Sequence, residues 1–382
     1  MRKRHSPDLA DCWRLARTEG VGPIGWRRLL TRYGSVTAAL AALPRLALAG
    51  GRETPLAIPT AAEANQELDR LAKLGARVLV LDQPDYPPLL AMLDDAPPII
   101  AVQGDVALLS ARSVAVVGGR NASANGQRMA ETLGADLART IVVVSGLARG
   151  IDAAAHNGAL ATGRTIAVVA GGLDMPYPPE HAALQARIAE TGAVVSEAPL
   201  GTAPQARHFP RRNRIVAGLA LGVVVVEAAQ RSGSLITARI AQEAGREVFA
   251  VPGSPTDPRS RGANHLLRQG AILTETAADV LDNLPRHPIY PGLLATDVPA
   301  PAGLAEARPD PPDDSLDLPG ILSQVVDLLG PSPTAVDDVV RRCQFSPAAV
   351  MVALLELELA GRLELLPGNR VALLSDEARI TE

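Results

Sequence analysis

The chain has 382 residues, 47% of them hydrophobic, with 37 basic and 41 acidic side chains for a net charge of −4. That length supports two or three domains with packed cores, and the two cysteines, Cys12 and Cys343, exclude a disulfide framework or a cysteine-rich metal site. No apolar run approaches the ~18 residues of a membrane span, and the N-terminal MRKRHSPDLADC lacks an apolar signal core, so a reducing, cytoplasmic setting is expected.

In chain order, residues 8–75 read as small helices, apolar at helical spacing over Trp13–Thr18, Trp26–Tyr33, Val36–Leu43 and Ala61–Leu74. Between the first two, Gly20-Val21-Gly22-Pro23-Ile24-Gly25 has the look of a helix-hairpin-helix turn, which can offer backbone N–H groups to a phosphate. A tight loop in a SAM-like bundle is the simpler account. From Arg77 the period changes. Val78–Leu81 and Ile99–Val102 read as strands, and further strands are expected at Ser113–Val117, Ile141–Val144, Thr165–Val169, Ala193–Ser196, Leu221–Val226 and Val248–Val251. Helices fill the gaps near 124–139, 152–162, 180–190, 211–220 and 234–244. Strands and helices alternating at these lengths imply βαβ units in a parallel sheet. The four valines at 223–226 mark a strand buried on both faces.

Residues 285–316 are rich in Pro, Ala and acidic side chains without periodicity and read as a linker. Beyond them, helices over Gly320–Leu329, Ala335–Arg342 and Ser346–Ala360 precede a hairpin of Arg362–Leu366 and Arg370–Leu374 turning at Pro367-Gly368-Asn369. Three helices and a hairpin outline a winged helix. Its third helix, SPAAVMVALLELELA, has no Lys or Arg and carries Glu356 and Glu358. A helix that reads duplex DNA presents basic or amide groups, so this unit is expected to contact protein or simply pack. The expected division is therefore a helical domain at 1–76, a sheet domain at 77–284, the linker, and a winged helix at 317–382.

The loops at the carboxyl ends of parallel strands form the ligand crevice. Here they run Gly118–Ser123, Ser145–Gly150, Gly171–Asp174, Glu197–Asn213 and Gln230–Ser234. Almost every one pairs glycines with an arginine or a hydroxyl, which suits a polyanion. Charge is unevenly shared: residues 112–286 hold 18 arginines against 14 carboxylates, +4, leaving −8 for the rest. Arg120, Arg149, Arg211, Arg212, Arg214 and Arg231 are expected at one edge of the sheet, with Gly118, Gly150, Ser232 and Thr237 among the loop groups around them. Ser234 is placed to cap the helix that follows. Phe209 is the aromatic best sited beside the arginines to meet a base, with Tyr177 second; ordinary core packing accounts for Phe209 equally well.

Other chemistries fit less well. Gly118-Gly119-Arg120 lacks G-x-G-x-x-G spacing, and no ribose-binding acid follows the second strand. Asp152 and His156 share a helical face, and Glu197 and Glu227 each follow a strand, so acid–base work is conceivable. Asp152 at a helix start and glutamates holding arginines is the simpler account. No nucleophile elbow, metal-binding histidine pair or Walker sequence appears, so neither catalysis, cofactor nor metal is expected.

Several of these stretches resemble motifs of the DNA-processing protein A (DprA/Smf) family. They are Gly-x-Arg120-x-x-Ser123, Ser145-Gly-Leu-Ala-Arg-Gly-Ile-Asp152 with His156, and Gly172-Leu-Asp-Met-Pro-Tyr-Pro178. Ser196-Glu-Ala-Pro, Phe209-Pro-Arg-Arg-Asn-Arg214, Ser232-Gly-Ser-Leu-Ile-Thr237 and Val251-Pro-Gly253 complete the set. The resemblance implies an α/β protein whose extended Rossmann-like parallel sheet core lies between an N-terminal helical SAM-like domain and a C-terminal winged-helix domain. It also implies a homodimer that binds single-stranded DNA and loads the RecA recombinase during natural transformation. It places Arg120, Ser123, Ser145, Gly146, Arg149, Arg212, Asn213, Arg214, Gly233 and Ser234 at the DNA groove. Asn125, His181 and Leu200 depart from the family pattern, which bears on base contacts rather than on the phosphate frame. The alternative is a hydrolase of the cytokinin-activating phosphoribohydrolase type, whose Pro-Gly-Gly-x-Gly-Thr loop is replaced here by Ala229–Ser234.

Overall fold

The computed structural model describes residues 8–49, 51, 56–285, 318–366 and 369–374. The linker and the Pro367-Gly368 turn lie outside them. Packing divides the chain into two units, one of residues 66–293 and one that joins residues 1–65 with 294–382.

The larger unit is a nine-stranded sheet. Its first strands are β1 (Ala76–Val80), β2 (Ile99–Gly104), β3 (Ser113–Val117), β4 (Val142–Ser145) and β5 (Thr165–Val169). They are followed by β6 (Ala193–Ser196), β7 (Gly222–Val225), β8 (Glu247–Ala250) and β9 (Ile272–Leu273), in the spatial order β1-β2-β6-β5-β4-β3-β7-β8-β9. From β6 to β9 every pairing is parallel, while β1 and β2 join antiparallel at the β6 edge. The β3, β5 and β7 cores are buried throughout, because β-branched runs with no polar alternation can only satisfy both faces by burial.

Helices α6 (Ala124–Leu137) and α7 (Ile151–Thr162) cover one face, where Val114, Val116, Val143 and Val224 meet Leu133, Ile151 and Ala155. On the other face Ala167, Val169 and Val194 pack against Leu184 and Ile188 of α8 (Ala182–Thr191). The helix α9 spans His208–Gly218, starting three residues before the expected point. Pro210 does not prevent this, since an N–H in the first turn has no intrahelical partner to lose. Helix α10 (Gly233–Glu243) follows β7.

Strand order reverses between β3 and β7. Chain leaves β3 toward β4 on one side, and β7 lies on the other. Loops diverge at such a point and leave a crevice at the carboxyl ends.

In the other unit, α1 (Leu9–Arg17), α2 (Pro23–Tyr33) and α3 (Val36–Ala49) accompany a winged helix. Its parts are α13 (Leu318–Leu328), α14 (Val336–Arg342), α15 (Pro347–Leu359) and a three-stranded sheet of β10 (Thr334–Ala335), β11 (Leu363–Leu366) and β12 (Arg370–Leu373). α15 is the third helix of the fold and is enclosed on two sides. Ala349, Val350, Ala353, Leu354 and Leu357 fill the winged-helix core. Leu355, Glu356 and Leu359 are buried outside that core, and a Cβ on Gly25 of α2 would lie 4.0 Å from the Leu355 Cδ1 and 3.6 Å from the Glu358 Oε2. Arg32 of α2 faces Glu356 at 4.0 Å.

Candidate nucleic-acid interface

The crevice at the β3/β7 reversal is a groove of about 620 Å³. Gly118, Gly119, Arg120 and Asn121 line it from the β3 loop, and Gly146, Ala148 and Asp152 from the β4 loop. Phe209, Arg212 and Asn213 of α9 line it as well, with Arg231, Ser232, Gly233, Ser234 and Thr237 of the β7 loop and α10.

The glycines follow from the crowding. A Cβ on Gly146 would sit 1.9 Å from the Arg212 Nη1, and Gly150, at φ +75°, would meet the Gly119 carbonyl oxygen at 2.3 Å. Two loops therefore pass within van der Waals contact only because neither residue carries a side chain.

Carboxylates behind the loops fix their shape. Glu227 accepts hydrogen bonds from the Ser123 N–H at 2.8 Å and its Oγ at 2.5 Å, while Ser123 also caps α6 by accepting from the Gly126 N–H. Asp152 is buried and accepts from the Gly146 and Ala148 N–H groups at 3.1 and 3.4 Å. Burial pushes its carboxyl above the ordinary value, opposed by the Arg212 guanidinium, whose own affinity for its proton is lowered by the same burial. His156, one turn on and fully buried, bonds through Nδ1 to the Thr165 Oγ at 2.8 Å. The Thr165 hydroxyl already donates to the Val143 carbonyl, so the histidine must donate its Nδ1 proton and carries a bare Nε2. Burial first, then Arg212 and His181, lower its pKa to about 3, so it is neutral.

The six candidate arginines take different positions. Arg120, Arg211 and Arg231 are exposed and make no ion pair among the described residues. Arg120 stacks over the Phe209 ring at 4.5 Å, and Arg231 lines the groove, whereas Arg211 is exposed outside its lining. Arg212, only 6% exposed, donates to the Val168 carbonyl at 2.7 Å and to the Gly146 carbonyl. Arg214 forms a two-pronged bond to Glu197 at 2.6 and 2.7 Å and also donates to the Asp95 carbonyl. Arg149 is exposed and paired with Glu180.

Among the other candidates, Gly118, Gly146, Phe209, Asn213, Ser232, Gly233, Ser234 and Thr237 line the groove. Ser145 is buried behind it, donating to the Val116 carbonyl at 2.6 Å, and Gly150 and Ser123 shape the loops from below. The α10 cap is Ser232, which accepts from the Ser234 N–H; this corrects the assignment of that cap to Ser234, which lies one residue inside the helix. Arg259, from the loop after β8, also lines the groove, paired with Asp257. Its local sequence, an isolated Asp-Pro-Arg, gives no signal that this loop returns to β7.

A glycine-lined, arginine-bearing crevice at the switch point of a parallel sheet defines a Rossmann-like protein. The chain belongs to the DNA recombination-mediator protein A family, whose model matches residues 77–285. The DprA-like N-terminal helix-hairpin-helix domain matches residues 7–69 and the DprA winged-helix domain residues 306–369. Protein Smf of Escherichia coli is 44% identical over 305 residues, 76% of each chain. The X-ray structure of DNA processing protein A from Streptococcus pneumoniae superposes with a TM-score of 0.64 at 36% identity, covering 74% of this chain and all of that one. A Helicobacter pylori DNA processing protein A, whose single-stranded DNA binding mode is the subject of its structure, matches at a TM-score of 0.49 and 31% identity over 54% of this chain and 94% of that one.

Proposed function

We propose that this protein binds single-stranded DNA along the β3/β7 groove and passes the strand to the RecA recombinase, acting as a homodimer in the cytoplasm and without catalysis of its own. One observation carries the reading. Exposed Arg120 and Arg231 flank a channel of glycine backbone with no ion-pair partner among the described residues, while the carboxylates nearby are committed to loops or to deeper arginines. A protein phosphate site needs cations that are not already neutralised. The family supplies the recombination role, and the expected division into helical, sheet and winged-helix domains is retained within this proposal.

A hydrolase is not favoured. Asp152, at the groove lining, is 5% exposed with its carboxylate taken up by the Gly146 and Ala148 N–H groups, and His156 is 0% exposed. Incubation with nucleoside monophosphates should release no free base.

Counterion release tests the groove. Affinity for oligo-dT should fall linearly with log salt, by about 0.7 per neutralised phosphate. Arg120→Ala should flatten that slope by roughly 0.7 and weaken all sequences alike. An Arg120→Ala, Arg231→Ala double variant with wild-type affinity and slope would place the site elsewhere.

A further inference from the structure

Next to the groove, and continuous with it at Arg120, Gly146 and Phe209, lies a second, smaller recess. Its outer wall is the Tyr177 ring, 5.7 Å from that of Phe209 and inclined to it by 53°. Tyr177 is 44% exposed and Met175, two residues before it, 37%. A tyrosine and a thioether are thus held in water beside a cationic channel, on a loop that is firmly tied down. The Asp174 carboxylate accepts the Gly201 N–H at 2.8 and 3.0 Å, and Gln185 donates to the Leu173 carbonyl at 2.8 Å. The platform is rigid, so a ring landing on it forfeits little loop entropy.

The recess is about 50 Å³. A water occupies roughly 30 Å³ of liquid, so the recess has room for one or two waters and cannot swallow a nucleobase. A flat ring would instead lie on the outer face of Tyr177 with only its edge toward the recess. Arg120 serves both places: its guanidinium face is used by Phe209 at 4.5 Å, which leaves its N–H edge for a phosphate.

We propose that Tyr177, with Met175 beside it, is a stacking platform for one unpaired nucleobase of a strand whose phosphates follow the groove. This rests on the reading of that groove as a single-strand site. It makes Tyr177 a determinant of single-strand preference, because in a duplex both faces of each base are covered by neighbours. Any base offers a π-face, so the contact selects strandedness and not sequence.

The test uses the full chain, oligo-dT, and an abasic oligonucleotide of the same length. Tyr177→Ala should weaken oligo-dT binding about tenfold and leave the abasic strand unaffected. The salt slope should not change, since no phosphate contact is lost. Tyr177→Phe should retain wild-type affinity, and Tyr177→Leu, which keeps an apolar side chain in place, should behave as the alanine variant does. Equal losses on both strands, or none on oligo-dT, would overturn the platform. If instead wild-type binding showed no salt slope that Arg120→Ala could flatten, the groove reading itself would fail.

Discussion

The run Arg211-Arg212-Asn213-Arg214 shows how little a residue's identity says about its role until its direction is known. Successive side chains on a helix diverge by about 100°, so α9 sends Arg211 to solvent, Arg212 under the Gly146 loop, Asn213 to the Gly233 carbonyl and Arg214 to Glu197. Arg212→Ala should then act mainly through stability. It removes the donor held by the Gly146 and Val168 carbonyls and the positive charge nearest the buried Asp152, and leaving buried acceptors unsatisfied costs about 1–3 kcal/mol. The midpoint of thermal unfolding should fall together with affinity for oligo-dT, whereas Arg211→Ala should leave the midpoint in place. A variant Arg212→Ala that binds poorly yet melts like the wild type would return this residue to the phosphates. The cluster and its nearness to the glycine loops were legible in the sequence. Which member is buried was not, because that depends on where α9 begins and on the sheet it packs against.

At the scale of elements, strands and loops were legible to different degrees. The strands at 113–117, 165–169 and 193–196 follow from uninterrupted apolar, largely β-branched runs. The antiparallel attachment of β1 and β2 to β6 has no such signal, since register across the sheet is set by which edge remains open. The Tyr177 platform was only half visible, because the β5 loop meets Phe209 through tertiary packing alone. α15 illustrates the reverse. Its sequence lacks a basic face, and its position explains why: Leu355, Glu356 and Leu359 are enclosed outside the winged-helix core, with α2 alongside at Gly25 and Arg32. Leu355→Ala should destabilise this unit by about 2–5 kcal/mol and change oligo-dT affinity less than twofold. Trp13 and Trp26 are the only tryptophans and both lie in this unit, so their fluorescence reports its unfolding by itself. A Leu355→Ala protein with an unmoved tryptophan transition would mean that this contact does not hold the unit together.

Over the whole molecule, the two units carry buried titratable groups whose linkage to pH has opposite signs. In the unit of α2 and α15, burial pushes the Glu358 carboxyl up to about 8, Arg28 opposing and Glu364 adding to the shift. The folded form therefore holds a proton that the unfolded form gives up above its ordinary value near 4.5. Stability from this group is greatest at low pH and declines as pH rises toward about 8, by at most about 1.4 kcal/mol per pH unit. In the sheet unit His156 titrates near 3 when folded and 6.5 when unfolded, so its contribution is present above 6.5 and is lost as pH falls toward 3. Asp152, with a raised pKa, works against His156 in the same unit, so the His156 contribution is read as the difference between wild type and His156→Gln. The tryptophan-monitored midpoint should rise as pH is lowered from 8 to 5, and Glu358→Gln should remove part of that rise. The rest comes from Glu356, whose carboxyl is also pushed up by burial. His156→Gln should leave the tryptophan transition alone and make oligo-dT binding more resistant to acid. Should Glu358→Gln leave the slope of the tryptophan midpoint against pH unchanged, Glu358 is not the group that couples this unit to protons.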